Sequence, residues 1–274
     1  MLQYRLVRFS IRKHASAEMN QMEIGKRRIV ADLNALGLGR GDCVVVHSSF
    51  KSIGCTDGGP RAVIDALTEV VLPGGALLLP NLNIPHAFTT ENPPRFDLKR
   101  DHLKQAIGII PEMFKFEYAT HFSIHPTHSM MGIGEKAPDI LKDHEKAGLP
   151  CGPGTPWEKN ALAGGRVLLI GVNQKCNTTY HCAEEQLEDS YQLSEDVIDG
   201  VVVIDGREMV VRSKLHVWWN HPDFNIINPE LEAMGILRRG RVGRADTMCM
   251  DAAGFLDLCL AKMRGDSRYF LSYE

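Results

Sequence analysis

The run CVVVHSS, Cys43–Ser49, decides the fold. Its apolar residues are continuous rather than alternating, the pattern of a strand covered on both faces, as strands of parallel sheets are. Upstream, Ile24, Ile29, Val30, Leu33 and Leu36 fall near helical spacing within Glu23–Leu36, and the glycines of GLGRGD stop that helix. Downstream, Pro60 in GGP suits the first turn of a helix whose apolar face is Ala62, Val63, Ala66, Leu67, Val70 and Val71. PGG closes it, and ALLLP, Ala76–Pro80, is a second buried strand. Helix, strand, helix, strand is the rhythm of parallel strands joined by crossover helices.

From Asn81 to Gln105 the rhythm fails in a stretch rich in proline, asparagine and charge. Irregular segments of that length inside a domain are usually functional, so residues 81–105 are expected to form a substrate loop. Helices are expected near Pro111–Tyr118, Pro138–Lys146, Pro229–Leu237 and Asp251–Arg264, and NTTYHCAEEQLED also reads as helical. Strands are expected on both sides of HPTHS, at Arg166–Val172 and through RVGRADTMCM, where Met248 and Met250 read as core. Val201–Val211 holds two apolar runs about Asp205-Gly206, a dipeptide favoured in tight hairpins. The fold class is α/β: a largely parallel central sheet flanked by helices, with an antiparallel hairpin addition. Residues 1–22 are expected to be an N-terminal extension and 23–274 a single domain.

A chain of 274 residues that is 44% hydrophobic can bury a full core. Its formal net charge of −3, with basic residues mostly scattered, offers no blanket attraction to nucleic acid or an anionic membrane. No segment approaches the length of a membrane span. The seven cysteines are an odd number without a C-x-x-C pair, which suits a reducing compartment and argues against zinc; no metal is expected. The basic start MLQYRLVRFSIRKHAS lacks the apolar run of a secretory signal, so a cytoplasmic enzyme is the expectation, with a transit peptide left open.

Three stretches carry chemistry. In HPTHSM, Pro126 holds His125 extended, so His125 and His128 point to opposite faces and do not share a metal. A neutral histidine at a strand end suits a general base, and equally a histidine that hydrogen-bonds a loop. Ser129 lacks a nucleophile elbow. In NTTYHCAEE, a helix would gather Asn177, His181, Glu184, Glu185 and Glu188, with Thr178, Glu185 and Asp189 as an adjoining stripe: a carboxylate to orient an imidazole, or merely a solvated acidic face. HSSFKSIGCTDGGP, between strand and helix, offers backbone N–H groups to an anion, without a Walker or G-x-G-x-x-G pattern. VWWN, Val217–Asn220, reads as core or a substrate wall, and Cys151 as a loop cysteine.

The ordered series VVVHSSFKSIG, GGPRAVIDALTEVVLPGGALLLP, GIIPEMF, HPTHSMMGIG, GPGTPWEKN, GGRVLLIGV, NTTYHCAEE and GRVGRADTMCMDAAGFLDL resembles the aminoglycoside 3-N-acetyltransferase family. The resemblance runs from about Glu23 to Lys262 and implies an acetyl-CoA-dependent acetyltransferase without the fold of the small GNAT-type enzymes. It implies direct transfer in a ternary complex, with His125 as general base, Glu184 as its acid, and Thr178 and His47 beside them. Ser48, Ser49, Lys51, Ser52 and Gly54 are implied for CoA, and Asn83, His128, His181 and Glu185 for the acceptor. The implied partner is a small-molecule amine, an aminoglycoside; a homodimer is allowed for. Where resistance members carry an acid-rich loop this chain has NLNIPHAF, and where an arginine often precedes the HP histidine it has Ser123. Those departures bear on the acceptor, so a different amine or amino sugar is the alternative, beside a Cys/Ser-His hydrolase.

Overall fold

The computed structural model describes residues 24–54, 56–84, 88–103, 107–188, 190–217 and 223–271. In chain order its elements are α1 (Lys26–Ala35), β1 (Cys43–Ser48), the single turn α2 (Phe50–Ile53), α3 (Gly59–Val71), β2 (Ala76–Leu82), β3 (Arg95–Asp97), α4 (Ile109–Glu117), β4 (His121–Phe122) and β5 (His128–Ile133). There follow α5 (Ala137–Leu141), α6 (Pro156–Leu162), β6 (Arg166–Ile170), α7 (Tyr180–Glu184), β7 (Ile198–Ile204), β8 (Arg207–Ser213), α8 (Asn228–Ala233), β9 (Leu237–Val242), β10 (Ala245–Asp251) and α9 (Ala252–Gly265).

A seven-stranded sheet runs in the order β4-β5-β2-β1-β6-β10-β9. The central strands β2, β1 and β6 are parallel neighbours, while β5 and β10 run antiparallel to β2 and β6, so all strands but β5 and β10 point one way. The continuous apolar run of β1 has the expected cause. Cys43 and Val45 join the core that packs Trp157 and Ala161 of α6, Tyr180 of α7 and Phe255 of α9. Val44 and Val46 join the opposite core, with Ile29 and Leu33 of α1, Val63 and Leu67 of α3, and Phe114 of α4. Each buried Val, Leu, Ile or Phe among them contributes roughly 1.5–3 kcal/mol by leaving water. Met248 and Met250 are buried, as read.

The hairpin forms as Asp205-Gly206 requires: both residues have positive φ, 51° and 76°, the backbone of a turn that matches strand twist. It lies beside the main sheet, with β3 parallel to β7 and β7 antiparallel to β8. This small sheet docks on the HP turn; a Cβ added at Gly200 of β7 would stand 2.6 Å from the Pro126 side chain.

Four local expectations change. RVGRADTMCM is not one strand: Gly243, at φ 61°, turns β9 back into β10. NTTYHCAEEQLED holds only the five residues of α7, after a 3₁₀ turn at Gln174–Cys176. Residues 81–105 are not irregular throughout, since β3 pairs with β7, and Phe96, Leu98 and Leu103 are buried. The helix expected over Pro138–Lys146 ends five residues early, at Leu141, and the chain continues as a 3₁₀ turn at His144–Lys146. Residues 1–23, Asp189 and Trp218–Asn220 lie outside the described residues.

Candidate active site

Parallel β1, β2 and β6 end at one edge of the sheet, and antiparallel β5 begins there, with His128 opposite Leu82. Ligand sites of such sheets lie beyond the carboxyl ends of the strands. A cleft of about 370 Å³ opens at this edge, and His47 and Ser48 from β1, Leu82 from β2 and His128 from β5 line it. Lys175, Thr178 and His181 complete the wall from the segment after β6. Gly171 keeps that segment tight: at φ 65°, it lies so near α2 that a Cβ would be 2.4 Å from the Ser52 Cβ.

On α7, His181 and Glu184 are three residues apart, which places them one above the other on a single turn. His181 Nδ1 stands 2.5 Å from Glu184 Oε2, and the other carboxylate oxygen accepts the Tyr191 hydroxyl at 2.6 Å. A carboxylate at Nδ1 puts the ring proton there and leaves the Nε2 lone pair free. Among the described residues Nε2 has no hydrogen-bond partner. Burial draws the His181 pKa down, but the charge of Glu184, its hydrogen bond and the charge of Glu185 outweigh burial and leave it raised.

His125 is placed differently from the expectation. It is fully buried, and it is not part of the cleft wall. Its Nδ1 accepts the backbone N–H groups of Thr127 (3.2 Å) and His128 (2.9 Å), which puts the ring proton on Nε2, 3.0 Å from Ser213 Oγ on β8. Both nitrogens are thus spent on fastening the HP turn to the second sheet, and burial with neighbouring histidines holds the ring neutral. Ser123, two residues before His125, is also buried: its hydroxyl bonds to His144 Nδ1 and accepts the Met130 N–H.

Glu185 is not an exposed acceptor site either. Its carboxylate is buried, accepts the N–H groups of Cys151 and Gly152, and lies 2.6 Å from His216 Nε2. Burial pushes its pKa up, against the pull of those backbone donors and His181. With Glu184 also buried, the solvated-face reading of this stretch fails. His216, which sequence reasoning missed, sits between the rings of His128 (4.4 Å) and His181 (4.5 Å).

Of the residues implied for CoA, Ser48 lines the cleft and Lys51 is exposed. Ser52 Oγ instead bonds Ser49 Oγ (2.9 Å) and the Gly171 carbonyl (3.3 Å), and Gly54, at φ 98°, packs against Arg244. Thr178 lies beside His181 on the wall, and His47 and Ser48 carry buried polar atoms, Nε2 and Oγ, without a partner among the described residues. Burial lowers the His47 pKa to about 3, so that ring is neutral. The Asn83 amide donates to the Arg95 and Pro126 carbonyls and borders a second, smaller cavity. No helix among the described residues is long and apolar enough to cross a membrane.

Comparison with known proteins gives a consistent answer. A family model described as aminoglycoside 3-N-acetyltransferase matches residues 45–264. Aminoglycoside N(3)-acetyltransferase VII of Streptomyces paromomycinus is 30% identical over 264 residues, covering 88% of this chain and 91% of its own. The crystal structure of aminoglycoside acetyltransferase AAC(3)-Xa superposes with a TM-score of 0.78 at 27% identity, covering 94% of this chain and 99% of that one. AAC-IIIb, solved as a binary complex with CoASH, matches with a TM-score of 0.75 at 25% identity over 92% and 99%. The architecture is therefore theirs and not that of the small GNAT-type enzymes, and the chain belongs to the aminoglycoside 3-N-acetyltransferase family.

Proposed function

We propose that this protein transfers acetyl from acetyl-CoA to an amino group of an aminoglycoside, the 3-amino position of the deoxystreptamine ring, with His181 as general base. The carrying observation is the 2.5 Å pair of His181 Nδ1 and Glu184 Oε2, with His181 on the cleft wall. A sugar amine is largely protonated at neutral pH and attacks only as the free base, so the site must hold a proton acceptor. As the amine nitrogen bonds to the acyl carbon, its proton passes to His181 Nε2, and Glu184 stabilises the imidazolium. Breaking of the C–S bond releases CoA thiolate, which takes that proton and resets the base.

Ser48, whose hydroxyl is buried at the cleft without a partner among the described residues, is the proposed donor to the tetrahedral oxyanion. Lys51 and Ser48 are the proposed CoA contacts, while Ser49, Ser52 and Gly54 shape the turn that carries them. Transfer is direct, in a ternary complex. Burial and neighbouring acids raise the Cys151 thiol well above its ordinary range, which keeps it un-ionised, and Ser129 Oγ is buried and donates to the Ser123 carbonyl at 2.6 Å. Neither is a nucleophile of the kind a hydrolase needs.

A second reading keeps the chemistry and changes the acceptor. The described lining of the cleft includes the cation Lys175 and no carboxylate, which favours an amine or amino sugar with fewer positive charges than a typical aminoglycoside. Free-thiol release from acetyl-CoA with a panel of aminoglycosides and simple amines tests both. Acceptor-dependent turnover that falls about 10²- to 10⁴-fold in His181→Ala is expected. Turnover unchanged in that variant overturns the assignment of the base; silence with every aminoglycoside but turnover with another amine moves the acceptor to the second reading.

A further inference from the structure

Beside the His181–Glu184 pair lies a second group of ligand-type side chains. His128 at the start of β5, Cys151 before α6 and His216 after β8 come from distant parts of the chain. Yet each offers one donor atom, and these lie within 4.8 Å of one another. His128 is 4% and Cys151 0% exposed, and the His216 side chain is 5% exposed. A tetrahedral ion with N and S ligands needs separations of roughly 3.3–3.6 Å, given metal–ligand distances of about 2.0–2.3 Å. Binding an ion would therefore draw the donors together by about 1 Å.

Hydrogen bonds occupy one nitrogen of each ring and point to the other as the donor. His128 Nδ1 is 3.0 Å from Thr127 Oγ1, which leaves Nε2; His216 Nε2 is 2.6 Å from Glu185 Oε1, which leaves Nδ1. Hydroxyl–histidine and carboxylate–histidine ties of this kind orient imidazoles towards a metal and set their tautomers. Glu185 also holds the Cys151 backbone N–H at 2.9 Å, so one carboxylate positions two of the three ligands. The small cavity of about 10 Å³ bordered by His128 and His216 has room for about one water.

We propose that His128, Cys151 and His216 form a binding site for a thiophilic divalent ion of the zinc class, with its fourth position open towards the cavity between the two histidines. Two imidazoles and a thiolate suit zinc or cobalt and disfavour magnesium and calcium, which seek oxygen. The cysteine spacing hides the site, because a lone cysteine joined by histidines 23 and 65 residues away matches no local motif.

The test uses the full chain, stripped with a chelator and titrated with Co²⁺. One equivalent should bind, with a near-ultraviolet thiolate-to-cobalt band and the intense visible bands of tetrahedral cobalt, and Zn²⁺ should bleach both. Cys151→Ser should abolish the charge-transfer band. His128→Phe and His216→Phe, which keep a ring but no nitrogen, should abolish tetrahedral binding, and Thr127→Val should weaken it about 10-fold or more. Cys176→Ser, at an exposed cysteine, should leave the cobalt bands unchanged. Cooperative melting establishes that each variant is folded, and Zn²⁺ should raise the melting temperature of the parent but not of His216→Phe. No thiolate band in the parent, or a band that survives Cys151→Ser, overturns the proposal.

Discussion

Replacing His125 separates a fastening histidine from a proton-transferring one. In His125→Ala the buried N–H groups of Thr127 and His128 lose their acceptor, and Ser213 Oγ keeps only its bond to the Lys214 carbonyl. Each buried donor left unsatisfied costs about 1–3 kcal/mol, so the two together cost about 3–4 kcal/mol when relaxation offsets part of the sum. For a chain of this size each kcal/mol moves the melting temperature by roughly 2–4 °C, which gives a drop of about 6–16 °C. His125→Asn is the informative partner. Its side-chain oxygen reaches about the position of Nδ1 and can accept the same two N–H groups, so it should recover most of that loss while removing any imidazole. The assay pairs thermal melting with thiol release at a temperature well below both transitions. The expected result is a low-melting His125→Ala and a His125→Asn whose kcat stays within about 10-fold of the parent. A well-folded His125→Asn that loses about 10²- to 10⁴-fold in kcat, beside a His181→Ala that keeps its activity, refutes the reasoning and returns the base to His125.

The pH profile offers an independent check: because Glu184 leaves His181 raised, the acid limb of kcat/KM should lie above 6.5, and Glu184→Gln should move it down. The linked stability has the matching sign, with the pair's contribution fully present below 6.5, the unfolded value, and lost as pH rises through the raised folded value; pH-dependent melting of Glu184→Gln against the parent measures it. Ser48→Ala should lower kcat by about 10²-fold with little change in the melting temperature, and an unchanged kcat removes Ser48 from the oxyanion. Gly200→Ala should destabilise by about 1–3 kcal/mol in a urea titration, because its Cβ would meet Pro126 at 2.6 Å.

The central architecture was legible because burial on both faces of a strand writes a continuous apolar run, as β1 does, and because Asp205-Gly206 marks its turn by chemistry alone. The β9–β10 hairpin was less legible, since a single glycine turns it and the apolar signal continues past. The site divides in the same way. His181 and Glu184 stand close in sequence, so their pairing could be read from spacing alone. The role of His125 could not, because it depends on Ser213, which is 88 residues away and on another sheet. His216 escaped notice altogether: its partners Glu185, His128 and His181 are joined to it only by tertiary packing.

The one-turn separation of His181 and Glu184 has a dynamic consequence. Their distance is set by local helical backbone, whereas the facing wall of the cleft comes from β2 and the segment that follows it. Any motion of that wall would change which molecules reach the imidazole, while the proposed base and its counter-charge, on one helical turn, would move together. With His181 as the proposed base, entry of the acceptor and basicity become separate variables, so substitutions at Leu82 or Ile84 should retune selectivity while the proton affinity stays as α7 sets it.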